Sequence, residues 1–266
     1  MRYIRIAVIL LFAVSLGIFG AGKVRKVSQQ DPNVPVITAE TDAIEVPVEY
    51  TQEDLLQGMQ AYDEEDGDLT SEIMIGEFTP FFAAGKCNLN YIVFDSANQP
   101  GVYRREITFV GYESPRFTLS RPLVFRVGET ETAYDLIGAQ DMLDGDISDM
   151  VRLIGENVSY LTAGDGTIEV EVSNSLGDSS QLALPVHVIA ADQSVLNLST
   201  PVVYINTGDG FDPNTYKEGI TDADGETLSA SEITARSDVN TKEPGVYEVH
   251  YTCGDAETWM TVVVRG

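Results

Sequence analysis

The chain has 266 residues, 43% hydrophobic and 9% aromatic, with a formal net charge of −26. That apolar content excludes a disordered polyanion and is ordinary for folded domains. The charge excludes nucleic acid as a partner, because so acidic a surface repels phosphate backbones.

The charge is segregated. Residues 1–30 carry Arg2, Arg5, Lys23, Arg25 and Lys26 and no acid. From Ile6 to Gly22 there is no charge at all. At helical rise this segment covers about 25 Å, a little short of a hydrocarbon core of about 30 Å, so flanking basic residues would snorkel. It predicts an N-terminal transmembrane helix, kept as an uncleaved anchor in preference to a signal peptide cut before Lys23. The segment holds no cysteine, which argues against a lipoprotein anchor. The expected location is the cell membrane, single-pass, with the acidic remainder extracytoplasmic, or secreted if the segment is cleaved.

From Val34 onward the pattern is one of short apolar alternations broken by turn residues, which predicts strands. In chain order these are 36–38, 44–48, 88–94 and 103–110, with a helical turn within 52–59 and a hairpin loop at 95–101. A second set follows at 123–127, 134–137, 167–172 and 181–189, with a hairpin at 173–178. A third opens at 201–205 and closes with 245–252 and 259–264. No stretch reads as a helix long enough to cross over a parallel sheet, so the sheets are expected to be antiparallel sandwiches.

One acidic stretch recurs. Ala61-Tyr-Asp-Glu-Glu-Asp-Gly-Asp-Leu-Thr70 is matched by Ala139-Gln-Asp-Met-Leu-Asp-Gly-Asp-Ile-Ser148 and, less closely, by Ile220-Thr-Asp-Ala-Asp-Gly-Glu-Thr-Leu228. Gly67, Gly145 and Gly225 lie about 80 residues apart, longer than solenoid repeats of roughly 20 to 50 residues and right for a small domain. The predicted organisation is an anchor and link over 1–30, then domains over 33–112, 113–191 and 192–266. Cys87 and Cys253 fall at unlike places in the first and third of these and read as free, core-facing thiols.

These residues resemble the bacterial surface immunoglobulin-like repeats found in crystal toxins and Gram-positive cell-surface proteins. The family pattern A-x-D-x-x-D-G-D-[LI]-[TS] is met by Ala61, Asp63, Asp66, Gly67, Asp68, Leu69 and Thr70. It is met again by Ala139, Asp141, Asp144, Gly145, Asp146, Ile147 and Ser148. The third copy departs at Asp222 and Glu226, while Gly245, Tyr247 and Asp255 recover the later elements. In the first copy Gly85 and Phe94-Asp95 do so, with Cys87 in the tyrosine's place. The resemblance implies an all-β chain of three tandem immunoglobulin-like β-sandwiches after the N-terminal helix, at a cell surface, with no uniform activity.

The chemistry on offer is limited. Asp63, Asp66 and Asp68, with Asp141, Asp144 and Asp146, are candidate calcium ligands, since a hard cation takes six to eight oxygens. Their spacing fails the EF-hand pattern, and the competing reading is that they cap turns; no other cofactor is expected. His187 and His250 lie in different modules without a catalytic neighbour, so no enzyme is expected. Trp259 and Tyr91, Tyr103, Tyr204, Tyr247 and Tyr251 could stack on sugars if exposed, or serve as core residues. The expected role is non-catalytic, in surface adhesion, ligand binding or spacing, with the membrane and a protein or glycan ligand as partners. The alternative is an accessory subunit stabilising a membrane or polysaccharide-assembly complex.

Overall fold

The computed structural model describes residues 34–266; the predicted anchor lies outside them. Among the described residues no helix is long and apolar enough to cross a membrane. The chain is all-β and forms two compact units. The first holds the described residues up to Thr79 together with Lys86–Phe109; the second holds Pro80–Gly85 and Val110–Gly266.

In the first unit β1 (Val36–Ala39), β3 (Met59–Asp63) and β4 (Gly67–Asp68) form one sheet. A four-stranded sheet follows the order β2 (Ala43–Pro47), β7 (Pro100–Val110), β6 (Lys86–Phe94), β5 (Met74–Phe78). Strand β6 shows why this sequence makes a sheet: Cys87, Leu89, Tyr91 and Val93 are all fully buried, while the residues between them face outward. That is the period of two a half-buried strand requires. Helix α1 (Gln52–Leu56) is a single turn fixed by a capping box in which Thr51 and Asp54 satisfy each other's backbone N–H groups.

The second unit repeats the arrangement twice. First come the sheet β11 (Gly145–Asp146), β10 (Ile137–Asp141), β8 (Arg116–Leu119) and the sheet β12 (Arg152–Glu156), β13 (Gly164–Ser173), β14 (Ser179–Ile189), β9 (Val124–Arg126). Then come the pair β15 (Asn197–Leu198), β17 (Ile220–Thr221) and the sheet β16 (Val202–Asn206), β20 (Ala256–Arg265), β19 (Gly245–Cys253), β18 (Thr234–Ser237). The missing third strand of the last small sheet survives as a single bridge between Thr221 and Thr227. One core gathers Phe117, Ala139, Ile168, Val170, Leu184 and Val186 from both sheets of its repeat. The other gathers Leu196, Ile220, Val249, Tyr251, Met260 and Val262.

Two expectations need correction. The two larger sheets of the second unit are mixed, because β14 pairs with β9 and β20 with β16 in parallel. Parallel neighbours need a long connection, and here the rest of the repeat supplies it in place of a helix. Residues 134–136 are also not a strand. Ala133–Leu136 is a 3-10 turn behind a second capping box, Thr132 with Asp135, and the strand begins at Ile137.

Candidate functional site

The first two acidic stretches form the same bend, and the third forms a variant of it. Asp63 Oδ1 accepts the N–H groups of Glu65 (2.8 Å) and Asp66 (3.1 Å), and Asp141 Oδ1 those of Leu143 (2.9 Å) and Asp144 (3.0 Å). Asp222 Oδ1 caps the variant, accepting from Asp224 N and, four residues on, from Glu226 N, both at 2.9 Å. The glycine is required because φ is +81° at Gly67, +74° at Gly145 and +85° at Gly225, left-handed values that side chains disfavour. Downstream, Asp68 accepts from Thr70 N and Asp146 from Ser148 N. These bonds hold the Asp68 and Asp146 carboxyls below their usual range, the side-chain hydroxyl contributing most and the backbone N–H next.

Each of the first two bends is also fastened to its hairpin loop. Asp66 Oδ2 accepts from Ser96 N (2.7 Å), and Asp144 accepts from Ser175 N (2.6 Å) and Ser175 Oγ (2.8 Å). All six candidate aspartates thus lie in these bends, and each accepts at least one backbone N–H, from the bend itself or, for Asp66 and Asp144, from the hairpin loop. Among the described residues no group of three His, Cys, Asp or Glu side chains is placed to hold a metal ion.

The two bends differ in one buried detail. Asp141 Oδ2 accepts from Asn174 Nδ2 (3.2 Å), and the single Tyr112 hydroxyl proton has Asp178 (2.8 Å) and, further off, Asp141 (3.3 Å) as acceptors. Burial first, then the Asp178 bond and the Asp141 charge, push the Tyr112 phenol up. In the first repeat the residue at the Asn174 position is Asp95, 7% exposed, and Asp63 is 2% exposed. Both leave Oδ2 buried without a partner.

The aromatic residues that were candidates for stacking on sugars offer little open surface. Tyr91 and Tyr251 are core residues, donating to Leu55 O and Pro213 O, both at 2.7 Å. Tyr204 lies under the guanidinium groups of Arg116 and Arg265, and its hydroxyl meets both Phe117 N (2.8 Å) and Phe117 O (3.2 Å). Burial pushes the Tyr204 phenol up to about 12. Trp259 is stacked with His187 at 4.1 Å and with His250 at 4.2 Å. Both His187 nitrogens rest on carboxylates, Nδ1 on Asp165 and Nε2 on Glu248, each at 2.8 Å. Tyr103 and Tyr247 are half-buried, their hydroxyls on Asp42 Oδ1 (2.6 Å) and Glu243 O (3.1 Å).

Sequence reasoning missed Arg105. It is 1% exposed, donating to Thr41 O (2.9 Å), Gln57 O (2.7 Å) and Thr41 Oγ1 (2.9 Å). The available signal was a charged residue at an inward position of a strand that otherwise alternates cleanly. Val36 and Tyr62 were likewise not singled out. They are cross-strand partners, 57% and 60% exposed, beside Val34 on the open face of the β1–β3–β4 sheet.

Among curated proteins, the chain is similar to an uncharacterized 81.3 kDa protein of Acholeplasma phage L2, 32% identical over 117 residues, covering 42% of this chain and 15% of that protein. It is also similar to the pesticidal crystal protein Cry22Aa of Bacillus thuringiensis, 26% identical over 245 residues, covering 86% of this chain and 33% of that one. The chain therefore spans a third or less of the length of these relatives. Solved structures that align include CBM51-2 with GlcNAc and INT domains from Clostridium perfringens ZmpB, at 16% identity, TM-score 0.23, 62% of this chain and 28% of that one. Drosophila N-cadherin EC1-3 aligns at 12% identity, TM-score 0.30 and 89% of each chain. Superpositions this loose carry no argument about ligand or role. The resemblance read from the acidic bends is borne out at the C-terminal end, where residues 199–266 match the family described as bacterial surface protein, Ig-like domain.

Proposed function

We propose that this chain is a non-catalytic surface protein built of three tandem immunoglobulin-like sandwiches, bounded near residues 33–112, 113–191 and 192–266. It acts in adhesion, ligand binding or spacing. The observation that carries this reading is the threefold recurrence of a small sheet, ending in an acidic glycine bend, beside a larger sheet. Repetition of a scaffold multiplies surface and reach, whereas catalysis needs convergent reactive groups in a cleft. Both histidines are held against carboxylates and in ring stacks.

Residues 1–30 serve in this reading as the membrane anchor, with the acidic remainder outside the cytoplasmic membrane. The exposed Val34, Val36 and Tyr62 on the β1–β3–β4 sheet are the first surface to test for a ligand, since apolar side chains clustered in the open mark contact sites. Protease treatment of intact cells should remove the acidic portion and leave a short membrane-bound stub. Protection of the whole chain would refute the surface location. On a glycan array, binding that Tyr62→Ala weakens supports adhesion. Recovery of one stoichiometric membrane protein from detergent extract, with an empty array, supports the accessory role instead.

A further inference from the structure

The chain contains two histidines and one tryptophan, and the fold brings all three together in the second unit. His187 is on β14 in one repeat; His250 on β19 and Trp259 on β20 are in the next. The His187 ring lies 4.1 Å from the Trp259 ring at an interplanar angle of 14°, and the His250 ring 4.2 Å away at 8°. Two rings that near one centre and parallel to it cannot share a face without overlapping, so Trp259 is sandwiched.

The charges around the sandwich come from every neighbouring strand. Asp165 on β13 meets His187 Nδ1, and Glu248 on β19 meets Nε2. His250 Nε2 sits 2.8 Å from Glu257 on β20, which also receives Gln193. Arg236 on β18 is the register partner of His250, and Asp238 accepts the N–H of Glu248 (2.8 Å). On the remaining side β9 presents Val124, which is apolar.

A neutral imidazole has one N–H and one lone pair, so it can serve only one of two carboxylates. The double contact at His187 is complete only when both nitrogens carry protons. We propose that His187 is a proton-operated latch between the second and third repeats, closing them over Trp259 when protonated and loosening them when neutral. Asp165 is 83% exposed and swings into water at little cost, whereas Glu248 is 21% exposed and stays in the seam. Deprotonation therefore discards the Asp165 contact and weakens the Glu248 contact that spans the seam.

The electrostatics run the same way. Burial works against charge on His187, but Glu248 and then Asp165 outweigh it, leaving its pKa above the ordinary value. A raised folded-state pKa means that the stabilisation is fully present below about 6.5, the unfolded value, and fades as pH rises through the folded one.

Trp259 is its own reporter. In the full chain, acrylamide quenching of its fluorescence should increase about two-fold between about pH 5.5 and pH 8.5, the range over which histidine changes charge. In His187→Gln the quenching should no longer vary with pH. In Glu248→Gln the midpoint should move down by about one pH unit, since the partner favouring the charged form is gone. Quenching that is flat in the wild type would overturn the latch. So would a pH response that persists in His187→Gln, because it would not belong to His187. Should His187→Gln fail to fold, an unmoved midpoint in Glu248→Gln overturns the latch just as firmly.

Discussion

Asp66 Oδ2 accepts the backbone N–H of Ser96 at 2.7 Å, a bond that ties the acidic bend to a hairpin loop well further along the chain. Asp144 repeats it with Ser175, adding the serine hydroxyl. Asp66 and Asp144 therefore act as tertiary fasteners. Asp66→Ala should cost about 1 kcal/mol and Asp144→Ala about 2, on the scale of one and two hydrogen bonds. Urea unfolding checks both. Adding calcium should leave the melting temperature unchanged; a rise would mean that a ligand binds the native state there.

The first repeat carries a mismatch that the second has resolved. Asp63 and Asp95 each keep a buried Oδ2 without a donor, while at the matching positions Asn174 donates to Asp141. Asp95→Asn should stabilise the first unit by about 1 kcal/mol, and Asn174→Asp should destabilise the second by about 1 to 3. The pair is read by chemical denaturation, and a loss of stability in Asp95→Asn would refute the equivalence.

Arg105 joins the end of α1 to the segment after β1 through Gln57 O and Thr41. Arg105→Ala strands two carbonyls and leaves a cavity, so it should cost about 3 kcal/mol or more. Arg105→Lys should recover part of that, because one ammonium cannot reproduce a planar fork. Denaturant midpoints for the two variants decide the order.

Acid should loosen the bends and caps in a defined direction. The carboxyls of Asp54, Asp68, Asp135, Asp146 and Asp212 are lowered by hydrogen bonds from Thr51, Thr70, Thr132, Ser148 and Asn214. A lowered folded-state pKa gives stability that is present above the unfolded value of about 3.9 and is lost as pH falls through the folded one. NMR titration should find these carboxyls below the average of the chain's other aspartates. Thr70→Val should return Asp68 toward the ordinary value.

Cys87 is fully buried and its thiol is pushed up to about 11 by burial. Cys253 is only half-buried. A thiol reagent should label Cys253 in the native protein and reach Cys87 only on unfolding, because the thiolate is the reactive form. Mass mapping of the labelled peptides tests this.

Much of the architecture was legible. The alternation along 88–94 and 245–252 placed the central strands because a sheet with one wet face has a period of two, and that period is written locally. The three bends were legible for the same reason: an Asp-Gly pair with a left-handed glycine is a local device. The capping boxes Thr51/Asp54 and Thr132/Asp135 were equally local and were overlooked, which cost the reading of 134–137. The candidate calcium ligands were placed in the bends, but which lone pairs were already engaged depended on hairpin loops distant in the chain.

The sequence by itself determined the strand-rich class, the spacing of the repeat and the turn at each acidic bend, since all three arise from contacts between chain neighbours. Only the tertiary structure decided that β9 and β16 close their sheets in parallel, that Arg105 is buried among carbonyls, and that His187 meets Glu248 and Trp259. Those are contacts between residues far apart in the chain, and no local periodicity encodes which distant partner a side chain will find.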